Sequence, residues 1–184
     1  MKKSKMKAIL KEILSTSIYL LCLLVAVFLV TEYVFQRTQV KGASMENTVH
    51  DGDHLIVDKI TYRFQDPLRY DIIVFPYRYQ ENTYYIKRII GLPNETIQID
   101  ERGVIYINGE VLLESYGKEV IKESGIATQE IQLGTNEYFL LGDNRNNSTD
   151  SRDSRVGVIT RSEIIGRAYM RVWPLTDFKI LEHQ

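Results

Sequence analysis

The stretch YYIKRIIG, Tyr84 to Gly91, decides how this chain folds. β-Branched and aromatic residues dominate it, which marks a strand. Strand side chains alternate between faces. Lys87 then shares a face with Tyr85 and Ile89, while Arg88 points the other way with Tyr84, Ile86 and Ile90. Burying the Lys87 charge between an aromatic and an isoleucine is costly. Either its stem lies over apolar neighbours while the amine reaches water, or the amine is held in an apolar place for a chemical reason.

Outward from this stretch the same pattern repeats. DHLIVDKI and YDIIVFPY read as strands, the second stopped by Pro76. TQVKG precedes Ser44 in what reads as an extended segment. Ile97 and Ile99 alternate with polar partners, Gly103 marks a turn, and Val104 to Ile107 form a further strand. Asn108-Gly109 is the pair that a two-residue type I′ hairpin prefers. EYFLLGDN and IIGRAYMRVWPL supply two more strands. Short strands separated by turns, without helix–strand alternation, imply a mostly β domain. Residues 114–134 fit either a short helix or an irregular excursion. Trp173 and Phe178 read as core residues in preference to interfacial ones.

The N-terminal region differs sharply. Lys2, Lys3, Lys5, Lys7 and Lys11 precede an uncharged run from Ile13 to Thr31. About 20 mostly apolar residues suffice for a helix to cross a bilayer. The run exceeds the apolar part of a cleavable signal peptide and has no polar stripe, unlike a buried amphipathic helix. The expected plan is a cytoplasmic basic tail at 1–12, a transmembrane signal anchor at 13–35 and an extracytoplasmic domain at 36–184. The lysines before the span set the N-terminus inside.

The remaining composition excludes several chemistries. The chain has 184 residues, enough for one domain with a core. A net charge of −1 gives no basic field for nucleic acid. One cysteine, Cys22, allows no intrachain disulfide. His50, His54 and His183 form no recognisable metal set, and solvated loop histidines are the expectation. No glycine-rich phosphate loop occurs, so neither metal nor cofactor is expected.

Two further stretches carry polar chemistry. GASMENTV, Gly42 to Val49, surrounds Ser44 with small residues. LLGDNRNNSTDSRDSR, Leu140 to Arg155, sets Asp143, Arg145, Asp150 and Arg152 behind an apolar strand. Each reads blandly as a solvated loop. A serine nucleophile needs a base beside it, and no histidine stands in a suggestive context. A lysine can serve if it is neutral, and desolvation lowers a lysine pKa by as much as roughly 3–5 units. Lys87 has the apolar flanks that this requires.

GASMENTV, RYDIIVF, YYIKRIIGLPNE and GDNRNNSTDSRDSR, in this order behind an N-terminal anchor, resemble the bacterial type I signal peptidases. The resemblance implies a membrane-anchored serine endopeptidase with a Ser-Lys dyad that removes signal peptides from exported preproteins. It implies a coiled antiparallel β-sheet domain, like that of the repressor proteases, on the outer face of the cytoplasmic membrane. Preprotein signal peptides, membrane lipids and a nearby secretion translocon are the implied partners. Carried over by motif position, Ser44 is the nucleophile and Lys87 the general base. Ser148 orients the lysine amine, and Asp150 and Arg152 brace the loop, with Asp143, Asn144 and Arg145 as scaffold. The oxyanion region is Gly42 and Ser44. The family can place a serine hydroxyl where Gly42 stands, so the second donor is a backbone group or absent. Met45, Val49, Tyr85 and Ile86 line the pocket for the residue before the cut, and Val40 and Ile86 flank the one two residues further back.

Two departures concern loop shape. Asn47-Thr48-Val49 replaces the family's frequent Pro-Thr-Leu, and Asn94-Glu95 its Gly-Asp. Two rivals remain. A self-cleaving repressor-type protease shares the chemistry but lacks the span. A membrane-tethered, non-catalytic β-domain that binds exported peptides would need neither Ser44 nor Lys87.

Overall fold

The computed structural model describes residues 2–81 and 83–181, so His183 lies outside the described residues. Its first element is α1, Lys2–Tyr33. The basic tail and the uncharged run therefore share one helix. The described side chains of α1 are exposed along its length, and Lys5–Tyr33 is long and apolar enough to cross a membrane. The helix ends at Tyr33, two residues before the expected limit. Its last backbone bond runs from the Val34 N–H to the Val30 carbonyl. Phe35 already pairs with Asp58 in a strand, β1, Phe35–Gln39. Val34 alone separates helix from sheet.

The rest is β, as the alternating pattern predicts. The strands that follow are β2 (His54–Asp58), β3 (Ile72–Pro76), β4 (Tyr84–Gly91), β5 (Thr96–Ile99), β6 (Ile105–Ile107), β7 (Glu110–Val111), β8 (Ile131–Gln132), β9 (Glu137–Leu141), β10 (Ile159–Thr160), β11 (Gly166–Trp173) and β12 (Lys179–Ile180). The large sheet runs β1-β2-β11-β3-β4-β9-β10, with β12 also on β11, and the small one runs β7-β6-β5-β8. Every described pairing is antiparallel. Asn108 and Gly109 both take positive φ, 51° and 79°, and close the β6–β7 hairpin as a type I′ turn requires.

Both faces of β3 and of the second half of β4, from Lys87 to Gly91, are covered, which explains why so few polar residues occur there. Ile73, Phe75 and Ile89 pack with Tyr138 and Leu140. Ile72 packs in a second cluster with Val40, Met45, Val49 and Leu55. A third cluster joins the sheets through Ile90, Ile97, Ile99, Phe139 and Leu141.

Residues 114–134 are mostly irregular, with a 3₁₀ turn at Gly125–Thr128 before β8. Their first part is a strap across the loop that follows β9. The Lys118 N–H donates to the Asp143 carbonyl (2.8 Å) and the Ile126 N–H to the Arg152 carbonyl (3.0 Å). The Lys122 N–H donates to Asn146 Oδ1 (2.9 Å).

Trp173 and Phe178 are not core residues. They are 51% and 58% exposed. Trp173 ends β11 against His54, and Pro174 then turns the chain into a 3₁₀ segment, Leu175–Asp177, that lies on the surface. His54 is likewise no loop residue, since it opens β2.

Candidate active site

β4 delivers Lys87 opposite Ile73 of β3. The residue is 3% exposed, so its amine is almost wholly withdrawn from bulk water. Lys87 Nζ lies 2.7 Å from Ser44 Oγ and donates to the Ile86 carbonyl (2.9 Å). It also sits 5.0 Å from the centre of the Tyr85 ring, its neighbour on the same strand face. Burial pushes the amine down from 10.5 to about 8, against the carboxylates of Asp150 and Asp143, which favour its charged form.

Ser44 is not in an extended segment. It opens a turn in which the Glu46 N–H donates to the Ala43 carbonyl and the Thr48 and Val49 N–H groups to the Met45 carbonyl. Asn47 takes φ 98° to complete it. The turn is fastened from outside. The Asn144 N–H donates to the Ser44 carbonyl (3.0 Å), and its side-chain amide donates to the Ala43 carbonyl (3.0 Å). The Thr48 hydroxyl donates to Asp143 Oδ2 (2.5 Å). That carboxylate also receives two bonds from Arg88, at 2.8 and 2.7 Å. Sequence reasoning missed Arg88, Thr48 and Glu46. The signal present was a second cation beside Lys87 on a strand with no polar face.

The loop after β9 is tightly bonded. Arg152 Nε and Nη2 donate to the two Asp150 oxygens, each at 2.8 Å, and Nη1 donates to the Glu123 carbonyl (3.0 Å). The Gly142 N–H donates to Asp150 Oδ2 (3.0 Å). A side chain at Gly142 has no room, since a Cβ there would stand 2.2 Å from Ser148 Oγ and 2.5 Å from the Ser44 carbonyl. Ser148 departs from expectation. Its Oγ is buried and makes no hydrogen bond among the described residues, to Lys87 or otherwise. The amine's bonds go to Ser44 and Ile86 instead.

A cleft of about 500 Å³ opens over these groups. Val40, Met45, Tyr85 and Ile86 line it, together with Ser44, Lys87 and Ser148. Thr38, Gln39 and Tyr84, which the sequence did not single out, line it too. Val49 does not. It is fully buried in the cluster with Met45 and Leu55, because the turn folds it under the serine. Gly42 lines the cleft, but its N–H donates to Asp51 Oδ1 (2.7 Å).

Comparison with known proteins gives this geometry a family. The model for signal peptidase, peptidase S26, matches residues 11–173. The chain belongs to that family. A protein of Synechocystis sp. named probable signal peptidase I-2 is 35% identical over 154 residues, 81% of this chain and 68% of that one. The signal peptidase I of Leptolyngbya laminosa is 39% identical over 150 residues, 78% of this chain and 71% of that one. A solved signal peptidase I from Enterococcus faecalis is 34% identical, covering 56% of this chain and 97% of that chain, with a TM-score of 0.46. Signal peptidase I is a serine endopeptidase that cleaves signal peptides from preproteins, and this chain is an enzyme of that kind. The family is membrane-associated, in keeping with the apolar α1.

Proposed function

We propose that this signal peptidase cuts by a Ser-Lys dyad, with Ser44 as nucleophile and Lys87 as general base. The observation that carries the reading is the 2.7 Å contact between Ser44 Oγ and a buried amine that, among the described residues, has no carboxylate bonded to it. Neutral Nζ takes the Ser44 proton as Oγ attacks the scissile carbonyl carbon. The tetrahedral intermediate collapses, the C–N bond breaks, and the ammonium gives its proton to the leaving amine. Water then loses a proton to the same amine and attacks the ester. The signal peptide leaves as a carboxylate, and Ser44 regains its hydrogen.

The Ser44 N–H is the oxyanion donor in this reading. Gly42 adds no hydroxyl, and its N–H is committed to Asp51. Ser148 is assigned the task of steering the amine, since it lines the same cleft as Lys87 and its buried hydroxyl has no partner among the described residues. Asp150 and Arg152 hold the loop that carries it. Cleavage follows Ala-x-Ala-like sites, whose small side chains suit a cleft floored by Val40, Met45 and Ile86. The α1 helix anchors the enzyme in the cytoplasmic membrane near the translocon, with the N-terminus inside and residues from about 36 outside. The catalytic domain rests on the helix end, where Lys59 Nζ donates to the Glu32 carbonyl (2.7 Å) and Arg63 lies 5.9 Å from the Tyr33 ring.

Purified Ser44→Ala and Lys87→Met proteins, incubated with a preprotein in detergent, test the dyad. Both should leave the preprotein intact while retaining the wild-type fold by circular dichroism. Processing by either variant at the wild-type rate overturns the assignment.

A further inference from the structure

We propose that Lys118 is a positioning residue for Ser44, acting through Glu46 as a clamp between the 114–126 strap and the turn that carries the serine. The inference rests on the reading of Ser44 as nucleophile and adds to it a residue far from it in sequence.

The turn needs outside support. No strand ladder holds Ser44, and the residues after it are fixed by local N–H bonds back to Ala43 and Met45. The carbonyls on either side of the Ser44 N–Cα–C unit, those of Ala43 and Ser44, both accept from Asn144, one from its side chain and one from its backbone. The orientation of the Asn144 amide therefore sets the orientation of the serine. Glu46 Oε2 holds that amide at 3.2 Å, and the same oxygen takes Lys118 Nζ at 2.8 Å. Lys118 is itself pinned, because its backbone N–H donates to the Asp143 carbonyl (2.8 Å), one residue before Asn144. Strap, loop and serine turn thus meet at one carboxylate oxygen. Other ties of the turn, such as Thr48 to Asp143, are better shielded from solvent. The clamp is half-exposed, with 46% of the Lys118 and 34% of the Glu46 side chain accessible, so it is open to salt.

Neither Glu46 nor Lys118 lines the cleft. A positioning role therefore changes the rate of the chemical step and leaves substrate binding alone. From the usual range for exposed ion pairs, the expected loss is about two- to fivefold in kcat.

The experiment uses the full chain in detergent and a fluorogenic Ala-x-Ala peptide, with Lys118→Met, Lys118→Arg, Glu46→Gln and the Met/Gln double variant. The expected result is a lower kcat at unchanged KM for Lys118→Met and near-complete rescue by Lys118→Arg. The double variant should lose no more than the worse single variant. High salt should bring the wild type toward Lys118→Met while leaving that variant flat, and thermal midpoints should move by no more than the few degrees that one exposed ion pair accounts for. Wild-type kcat in Lys118→Met, losses that multiply in the double variant, or a kcat loss that Lys118→Arg does not restore would each overturn the clamp. Ser44→Ala is run alongside. If it is inactive while Lys118→Met is unimpaired, the clamp alone fails; if it is active, the dyad fails with it.

Discussion

Lys87 and Arg88 are consecutive cations on one strand, both buried, and the protein treats them in opposite ways. Arg88 is fully exclusive to its partners. Its guanidinium donates twice to Asp143, to the Tyr70 carbonyl (2.8 Å) and to the Thr48 hydroxyl (3.1 Å), with the Tyr116 ring 3.7 Å from its centre. Lys87 has a hydroxyl and a carbonyl, but no carboxylate in bonding contact among the described residues. Burial with a bonded counter-charge makes a strut. Burial without one makes a group that can give up its proton near neutral pH. The alternation of a strand by two residues is the device that separates the roles, since adjacent side chains leave the sheet on opposite faces.

The largest test of this contrast is to remove each cation. Lys87→Met should lower preprotein cleavage by about 10⁴-fold or more, the scale seen when a member of a catalytic unit is deleted. It should also stabilise the protein. The folded pKa is depressed, so the folded state carries the cost of the buried charge at every pH below about 8. That cost fades between about 8 and 10.5, where only the unfolded chain holds the proton. Its size at neutral pH is about 3 kcal/mol, read as a higher melting temperature than wild type. Arg88→Met should do the reverse. It strands the fully buried Asp143 carboxylate and should cost about 3–5 kcal/mol, read by denaturant melts. A destabilised Lys87→Met, or an Arg88→Met of wild-type stability, would break the comparison.

Smaller effects sharpen it. Gly142→Ala drives a methyl between Ser148 and the Ser44 carbonyl. A displacement of about 1 Å at the serine should reduce kcat about 100-fold, measured on the Ala-x-Ala peptide. Asn47→Pro installs the residue that the family often carries, yet it should destabilise by about 1–3 kcal/mol, because proline cannot adopt φ 98°. Asn47→Gly should melt close to wild type. Last, kcat/KM should rise about tenfold per pH unit up to about 8 and then level, as Lys87 of the free enzyme loses its proton. A profile flat through acid pH would contradict a lysine base.

The parts of this protein legible in its sequence are those encoded locally. The uncharged run from Ile13, the alternation in β2, β5 and β6 and the Asn108-Gly109 turn each carry their geometry in neighbouring residues. The pairing of Ser44 with Lys87 was anticipated for another reason, since GASMENTV, YYIKRIIG and GDNRNNSTDSRDSR are specific boxes that resemble a known family, and the two side chains do meet. What stayed hidden depends on contacts distant in sequence. YGKEVIKESGIA looks helical in composition, but Lys118, Lys122 and Ile126 give their backbone N–H groups to the loop at 143–152 instead of to one another. Val49 has the character of a pocket residue, and only the turn at Asn47 turns it inward. Trp173 has the character of a core residue, and only its place at the end of β11 leaves it outside.

The single residue between α1 and β1 has a consequence for how the enzyme meets its substrate. A five-residue strand spans about 17 Å, and it starts almost where the helix stops. With the helix across a bilayer, the cleft is then mounted on a rigid bracket rather than tethered on a string. In the proposed anchored arrangement an enzyme so mounted would gauge height above the lipid as well as side-chain size, and lengthening that junction with a few flexible residues would blur the gauge while sparing hydrolysis of short peptides in solution.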